Sequence, residues 1–274
     1  MTFIITFIAL VIERFFDWGH IRRWRWFERY LVTLTKKLSG WPAYLVLSIA
    51  VLPLVVIVAL INYFLIGWVY GLLKFIFGIL ILMYSLAPVN FWAEAYACIG
   101  VLQSEDLPNA MTRAKNAFGV TVFDNAQVFH RAFTNALFCE ANRRLFAVLI
   151  WFILLGPAGA LLYRLIDLCH SVSTTVTRPA ANVLSLLDWL PVRLFTLFFA
   201  LAGHFTNVIK HWKHDVLTYP KMNSILLSEC GVAALDILEA ERIPEDGSAE
   251  KETIRLLDRV FVIALVVLAI VVLA

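Results

Sequence analysis

Apolar residues come in blocks along this chain, and the blocks predict its elements. Phe3–Ile12 is an apolar run too short to cross a bilayer alone, because about 20 helical residues are needed for roughly 30 Å of hydrocarbon. It predicts an interfacial or half-inserted helix, continued by the stretch from Arg14 to Lys37. Pro42 to Ala87 is almost continuously apolar, with Lys74 its only charge. That length suits two crossings, Trp41–Asn62 out and Gly67–Ala87 back, turning near Asn62-Tyr63 and Gly67, with Pro53 able to kink the first helix. Lys74 then snorkels or faces the bundle. Leu145–Ile166 predicts a third span with Gly156-Pro157 near its middle. Leu194–Phe205 is short, and Val260–Ala274 is a last apolar segment that spans with help from Leu256 and Leu257. The expected fold is all-α: a polytopic helical membrane protein with about four transmembrane helices, room for five or six, and interfacial amphipathic helices beside them.

Between the blocks, polar residues are arranged with helical period. In Asn90 to Arg144, Ala110, Ala114, Ala117 and Phe118, then Val128, Phe129, Ala132, Phe133, Ala136 and Leu137, recur three and four apart. Asp106 and Asn109 can cap. These read as amphipathic cytoplasmic helices rather than a separate soluble domain, because about 55 residues bury little core alone. The chain divides into a basic, aromatic N-terminal region (1–40), a transmembrane hairpin (41–87), cytoplasmic helices (88–144), a transmembrane helix (145–166), a loop and mixed polar region holding the short apolar segment (167–259), and a C-terminal hydrophobic helix (260–274). Pro244–Ser248 is the clearest linker, and no internal repeat is visible.

Composition agrees with the membrane reading. Of 274 residues, 61% are hydrophobic, against about 45–50% in soluble domains. Mean hydropathy is +0.82. A net charge of +3 gives no case for nucleic acid. Charge position says more. Residues 14–37 carry Arg14, Arg22, Arg23, Arg25, Arg29, Lys36 and Lys37, interleaved with Trp18, Trp24, Trp26, Phe27 and Tyr30. Such a mixture suits a headgroup surface and predicts a cytoplasmic location. The N-terminus lacks a basic leader region and a small-residue cleavage site, so a secretory signal is not expected. Cys98, Cys139, Cys169 and Cys230 are scattered, which predicts free thiols.

Candidate chemistry gathers where apolar segments end. Asp188-Trp189-Leu190-Pro191-Val192-Arg193 places an acid and a base five residues apart at the mouth of a hydrophobic run. Its plain reading is a helix start with Asp188 as N-cap, Pro191 in the first turn and Arg193 snorkelling. The sharper reading is a polar pocket in which Arg193 pairs with an acid from another segment. Glu13, Arg14, Arg164, Asp167, His170, Asp188 and Arg193 all lie at such edges, and His204 closes the short run. These eight are the candidate ligand-binding residues. His211 and His214 share a helical face, but an exposed pair beside a membrane does not make a metal site. His130 with Thr134, and Glu140 with Arg144, are i, i+4 pairs; surface pairing explains the second. No phosphate-binding loop, dinucleotide fingerprint or nucleophile triad is readable. No catalytic residue, metal or cofactor is expected.

The Asp188–Arg193 stretch resembles the AmpE family, inner-membrane proteins of the ampicillin-resistance regulatory operon, which is similar in turn to the CobD/CbiB cobinamide synthases. Glu13-Arg14-Phe15-Phe16 to His20, Asn135-Ala136-Leu137, and Gly156-Pro157-Ala158-Gly159-Ala160-Leu161-Leu162-Tyr163-Arg164 match in the same order. The resemblance implies a multi-pass protein of the bacterial inner membrane with a regulatory role in β-lactamase induction and cell-wall recycling. Its implied partners are membrane lipids, an anionic cell-wall-derived ligand, and a functional link to a cytoplasmic anhydro-muropeptide amidase. The synthases join an aminopropanol-type arm to adenosylcobyric acid, and here their pattern is altered. Their Asn-Thr-Leu-Asp-Ser run reads Asp167-Leu168-Cys169-His170-Ser171, their Asp-Asp pair reads Leu184-Ser185, and their Glu-Asn…Asp-Gly segment reads Glu140-Ala141-Asn142-Arg143-Arg144. A ligase of that type is one alternative and a small-solute transporter another, although the transporter would want two similar halves with paired broken helices.

Overall fold

The computed structural model describes residues 2–15, 24–65, 71–86, 90–104, 106–121, 125–172, 174–215, 220–235 and 246–273, and among them every regular element is helical. In chain order these are α1 (Thr2–Phe15), α2 (Arg25–Lys37), α3 (Ala43–Phe64), α4 (Leu72–Ser85), α5 (Phe91–Gln103), α6 (Leu107–Phe118), α7 (Ala126–Ala141), α8 (Ala147–Ser171), α9 (Thr177–Leu187), α10 (Trp189–Ala202), α11 (Phe205–Asp215), α12 (Asn223–Ala234) and α13 (Ser248–Leu273). A π-helical turn, Asn142–Phe146, lies between α7 and α8. The chain folds into two compact units, each made from two separate stretches. Unit 1 is Met1–Asn90 with Leu145–Asp188, and unit 2 is Phe91–Arg144 with Trp189–Ala274.

Unit 1 is organised by α8, which packs against α3, α4 and α9, while α1 packs on α4. Helix α8 is interrupted at Gly156, whose φ of 68° and ψ of −156° are not helical. Glycine tolerates that conformation, and Pro157 after it has no N–H to give to the preceding turn. Helix α3 is apolar on every side. Its 22 residues reach about 33 Å, enough for the hydrocarbon layer. Leu45, Ile49, Leu52, Val56, Ile57, Leu60 and Ile61 stand exposed along it. A stripe of that size is stable against lipid and costly against water. Helix α2 is amphipathic: Phe27, Leu31 and Thr35 are buried four residues apart, and Trp26 Nε1 donates to the Tyr84 hydroxyl at 2.8 Å.

Unit 2 is built on aromatic side chains repeating every turn. Phe129, Phe133, Phe138, Phe195 and Phe199 are fully buried. Phe195 and Phe199 meet tilted at 4.7 Å between ring centres, and Phe199 meets Phe138 at 5.1 Å. Asp106 caps α6, accepting from the Asn109 N–H at 3.2 Å, as its position in the sequence predicts. At the end of α10, a side chain on Gly203 would collide with the Ala234 carbonyl, so only glycine lets the ends of α10 and α12 meet. The His204 N–H donates to that carbonyl at 3.2 Å.

Two helical runs among the described residues are long and apolar enough to cross a membrane, Ala43–Phe64 and one within Ala126–Ser171; α9 and α10 taken as one broken span would make a third. This is fewer than the four expected. The returning half of the predicted hairpin appears as α4, whose 14 residues reach only about 21 Å; residues 66–70 and 87–89 lie outside the described residues. The C-terminal apolar segment is not a separate element. It continues α13, which begins at Ser248 and carries Glu250, Lys251, Glu252, Arg255, Asp258 and Arg259 before the apolar end.

Candidate functional site

The polar centre of unit 1 is on α8, after its break at Gly156. Arg164 is 3% exposed, and its Nε donates to the Ser85 carbonyl in the last turn of α4 at 2.6 Å. Its Nη1 donates to Asp167 Oδ2 at 2.7 Å, and Asp167 is equally buried. Three residues of helix bring the two side chains onto one face, and pairing them offsets the large penalty of burying either charge alone. Both lie where the apolar run of α8 ends, inside a helix that continues to Ser171. Tyr163, fully buried, donates its hydroxyl to Asp188 Oδ1 at 2.7 Å. Asp188 ends α9 in helical conformation, its N–H donating to the Leu184 carbonyl, and its carboxylate serves Tyr163. The expected role of N-cap for α10 is therefore replaced by a tertiary contact. Glu13, on α1, is 1% exposed, and its backbone carbonyl accepts from Asn90 Nδ2 at 2.5 Å. Arg14 is half-buried beside it, and His170 is half-buried one turn beyond Asp167.

Unit 2 holds the other two of the eight. Arg193 on α10 is 5% exposed. Its Nη1 donates to the Trp189 carbonyl at 3.2 Å and to Asn223 Oδ1 on α12, and its guanidinium lies 4.8 Å from the Trp189 ring centre. From another segment of unit 2, Asn223 brings a neutral amide to Arg193. An amide oxygen accepts from guanidinium without placing a second charge in the core. His204 is exposed in the turn between α10 and α11. His211 is half-buried on α11, and the side chain of His214 lies outside the described residues. Among the described residues, no three His, Cys, Asp or Glu side chains gather as a metal site.

One polar grouping in unit 2 has no counterpart in the sequence reading, and a second differs from it only in burial. His130 Nδ1 lies 2.7 Å from Glu250 Oε1, with the side chains 1% and 0% exposed. Nothing in the sequence links positions 120 apart. The one local signal is an acid in the first turn of α13. Glu140 and Arg144 do pair, at 2.7 Å, but are mostly buried rather than on the surface. Arg144 also donates to the Ala117 carbonyl and lies 5.1 Å from the Phe118 ring centre.

At the positions that the resemblance sets against synthase carboxylates, the side chains are otherwise engaged. Leu184 is 5% exposed, in the core of unit 1. Ser185 Oγ donates to the Asn182 carbonyl of its own helix at 2.9 Å. Arg143 and Arg144 turn to Glu140.

A family model described as CobD/Cbib protein matches residues 6–238. The chain belongs to the CobD/CbiB family. Among curated proteins it is similar to the cobalamin biosynthesis protein CobD of Stutzerimonas stutzeri, 26% identical over 213 residues that make up 73% of this chain and 67% of the relative. It is also similar to the cobalamin biosynthesis protein CobD of Chromobacterium violaceum, 28% identical over 114 residues, or 39% of this chain and 36% of that one. No solved structure matches. All eight candidate residues fall within the family match, whereas Glu250 and the rest of α13 lie beyond it.

Proposed function

We propose that this member of the CobD/CbiB family works in the inner membrane by binding an anionic ligand, in a regulatory role of the AmpE type linked to β-lactamase induction and cell-wall recycling. One observation carries the reading: at positions that the resemblance matches to synthase acids, this chain places a packed leucine, a serine bonded to its own helix, and arginines held by Glu140. A ligase that handles nucleotide and magnesium needs carboxylates free to receive them. Guanidinium groups favour carboxylate or phosphate ligands, and Arg14 and Arg164 in unit 1, and separately Arg193 in unit 2, are the candidates for such contacts. The ligand would be an anionic cell-wall fragment or a lipid headgroup, and the link to the anhydro-muropeptide amidase would be functional. Scaffold retained with its chemistry altered is compatible with sensing, since a fold does not carry an activity by itself.

A second reading, an ATP-dependent ligase of the cobinamide-synthase type, is favoured by a different observation. Both relatives are named for cobalamin biosynthesis, and on the comparisons alone this reading has the stronger support. One pair of strains separates the two. Deleting the gene, with the neighbouring amidase intact, should change β-lactamase induction after β-lactam exposure. Expressing it in a strain without cobinamide synthase should not restore cobalamin synthesis. Rescue at ordinary expression, with induction unchanged across several inducers, would replace the first reading by the second.

A further inference from the structure

Unit 2 contains a cavity of about 660 Å³ bounded by α7, α11, α12 and the end of α6. Pockets for small molecules usually measure about 300–1,000 Å³. Small residues make the space: Ala132 and Ala136 on α7 face Ser224 and Ser228 on α12, each pair one helical turn apart, and Gly119 ends α6 with a φ of 67°. Its polar lining includes a base, an acid and an amide, with His211 and Thr121 beside them. Arg131 and Glu229 supply opposite charges from different helices, and among the described residues neither takes an ion-pair partner. Asn135, one turn after Arg131, has a side-chain oxygen shielded from solvent and without a hydrogen bond. A buried acceptor left in that state is costly, and a donor from a ligand would recover the loss. Beside these, Ile225, Val232 and Phe118 form an apolar wall.

We propose that this cavity binds a small zwitterion of the amino-acid or short-peptide class. Arg131 receives the carboxylate, Glu229 receives the ammonium, Asn135 Oδ1 accepts an N–H between them, and the apolar wall packs a short aliphatic side chain. A purely anionic ligand would leave Glu229 facing like charge, and a purely cationic one would leave Arg131 so. The site uses none of the eight candidate residues and does not depend on the regulatory reading.

Cys139 lines the same cavity and is half-buried, whereas Cys98, Cys169 and Cys230 are buried, so one thiol reports on occupancy. The full chain in detergent is labelled with a maleimide in the presence of trialanine, N-acetyltrialanine or trialanine amide, with titration calorimetry on the same samples. Trialanine should bind and slow Cys139 labelling, and either blocked peptide should bind at least about tenfold more weakly. Arg131→Gln should remove the preference for a free carboxylate, and Glu229→Gln the preference for a free amine. Ala136→Leu should fill the space and abolish binding, while Arg255→Gln should leave binding unchanged. If Ala136→Leu does not fold, the two charge-neutralising variants decide the matter. No heat and no protection at millimolar trialanine would overturn the proposal, as would equal binding of all three peptides.

Discussion

Each unit buries an acid against a base, and the two pairs are made in opposite ways. Arg164 and Asp167 are three residues apart on α8, so the helix alone brings them together. His130 and Glu250 are 120 residues apart and meet only when α13 packs on α7. The local pair forms with its helix. The distant pair ties the end of the chain to the aromatic core of unit 2, and it forms only once that core is assembled. Burial makes both demanding, because removing one partner leaves the other desolvated and uncompensated.

The largest effects should therefore come from halving either pair. Glu250→Ala and Arg164→Ala are each expected to cost about 3–5 kcal/mol, read as loss of thermal stability in detergent. They should differ in place. Hydrogen exchange should rise in α7 and α13 for the first and in α4 and α8 for the second. A double variant, His130→Leu with Glu250→Leu, should recover most of the loss, because two apolar groups need no partner. Equal loss from the single and double variants would show that packing, not charge, holds α13 in place.

A middle-sized effect should follow from Arg193. Arg193→Ala removes a donor from Asn223 and a cation from the face of Trp189, a loss of about 1–3 kcal/mol. Arg255, 59% exposed beside Glu252, should change stability by no more than about 0.5 kcal/mol when made Ala. Indistinguishable results would show that the contacts of Arg193 with Asn223 and Trp189 add nothing measurable to the stability of unit 2.

The smallest effect is chemical. Burial pushes the Cys98 thiol up from the ordinary 9.0 to about 11, against the opposing pull of Arg113. The native state therefore prefers the protonated thiol. Its contribution to stability is complete below pH 9.0 and is lost as pH rises through about 11. Near pH 8 only about one molecule in a thousand carries the thiolate, so maleimide labelling of Cys98 should be negligible there and should increase tenfold per pH unit at about that rate upward. Rapid labelling at neutral pH would show that α5 opens readily from the core of unit 2.

Local interactions explain which features were legible. Helix α3 is visible as an apolar block because a lipid-facing helix needs apolar residues all round. The Asp106 cap is visible because its partner is three residues away; Arg164 and Asp167 stand out in the sequence only as charges at the end of an apolar run, and the helix sets them on one face. Glu140 with Arg144 is a mixed case: the spacing showed the pair, while its burial required Ala117 and Phe118 from α6.

Sequence alone determined the helical class, the principal apolar segments, the membrane character and most of the polar residues of interest. Each of these depends on composition or on contacts within a turn or two of helix. Only the tertiary structure decided that Asp188 serves Tyr163, that Arg193 meets an amide, that His130 meets Glu250, and that small residues on α7 and α12 line an open pocket. Those outcomes depend on which helices pack together. Side chains far apart in the chain acquire a partner, or a space to line, only when that packing has removed water from around them.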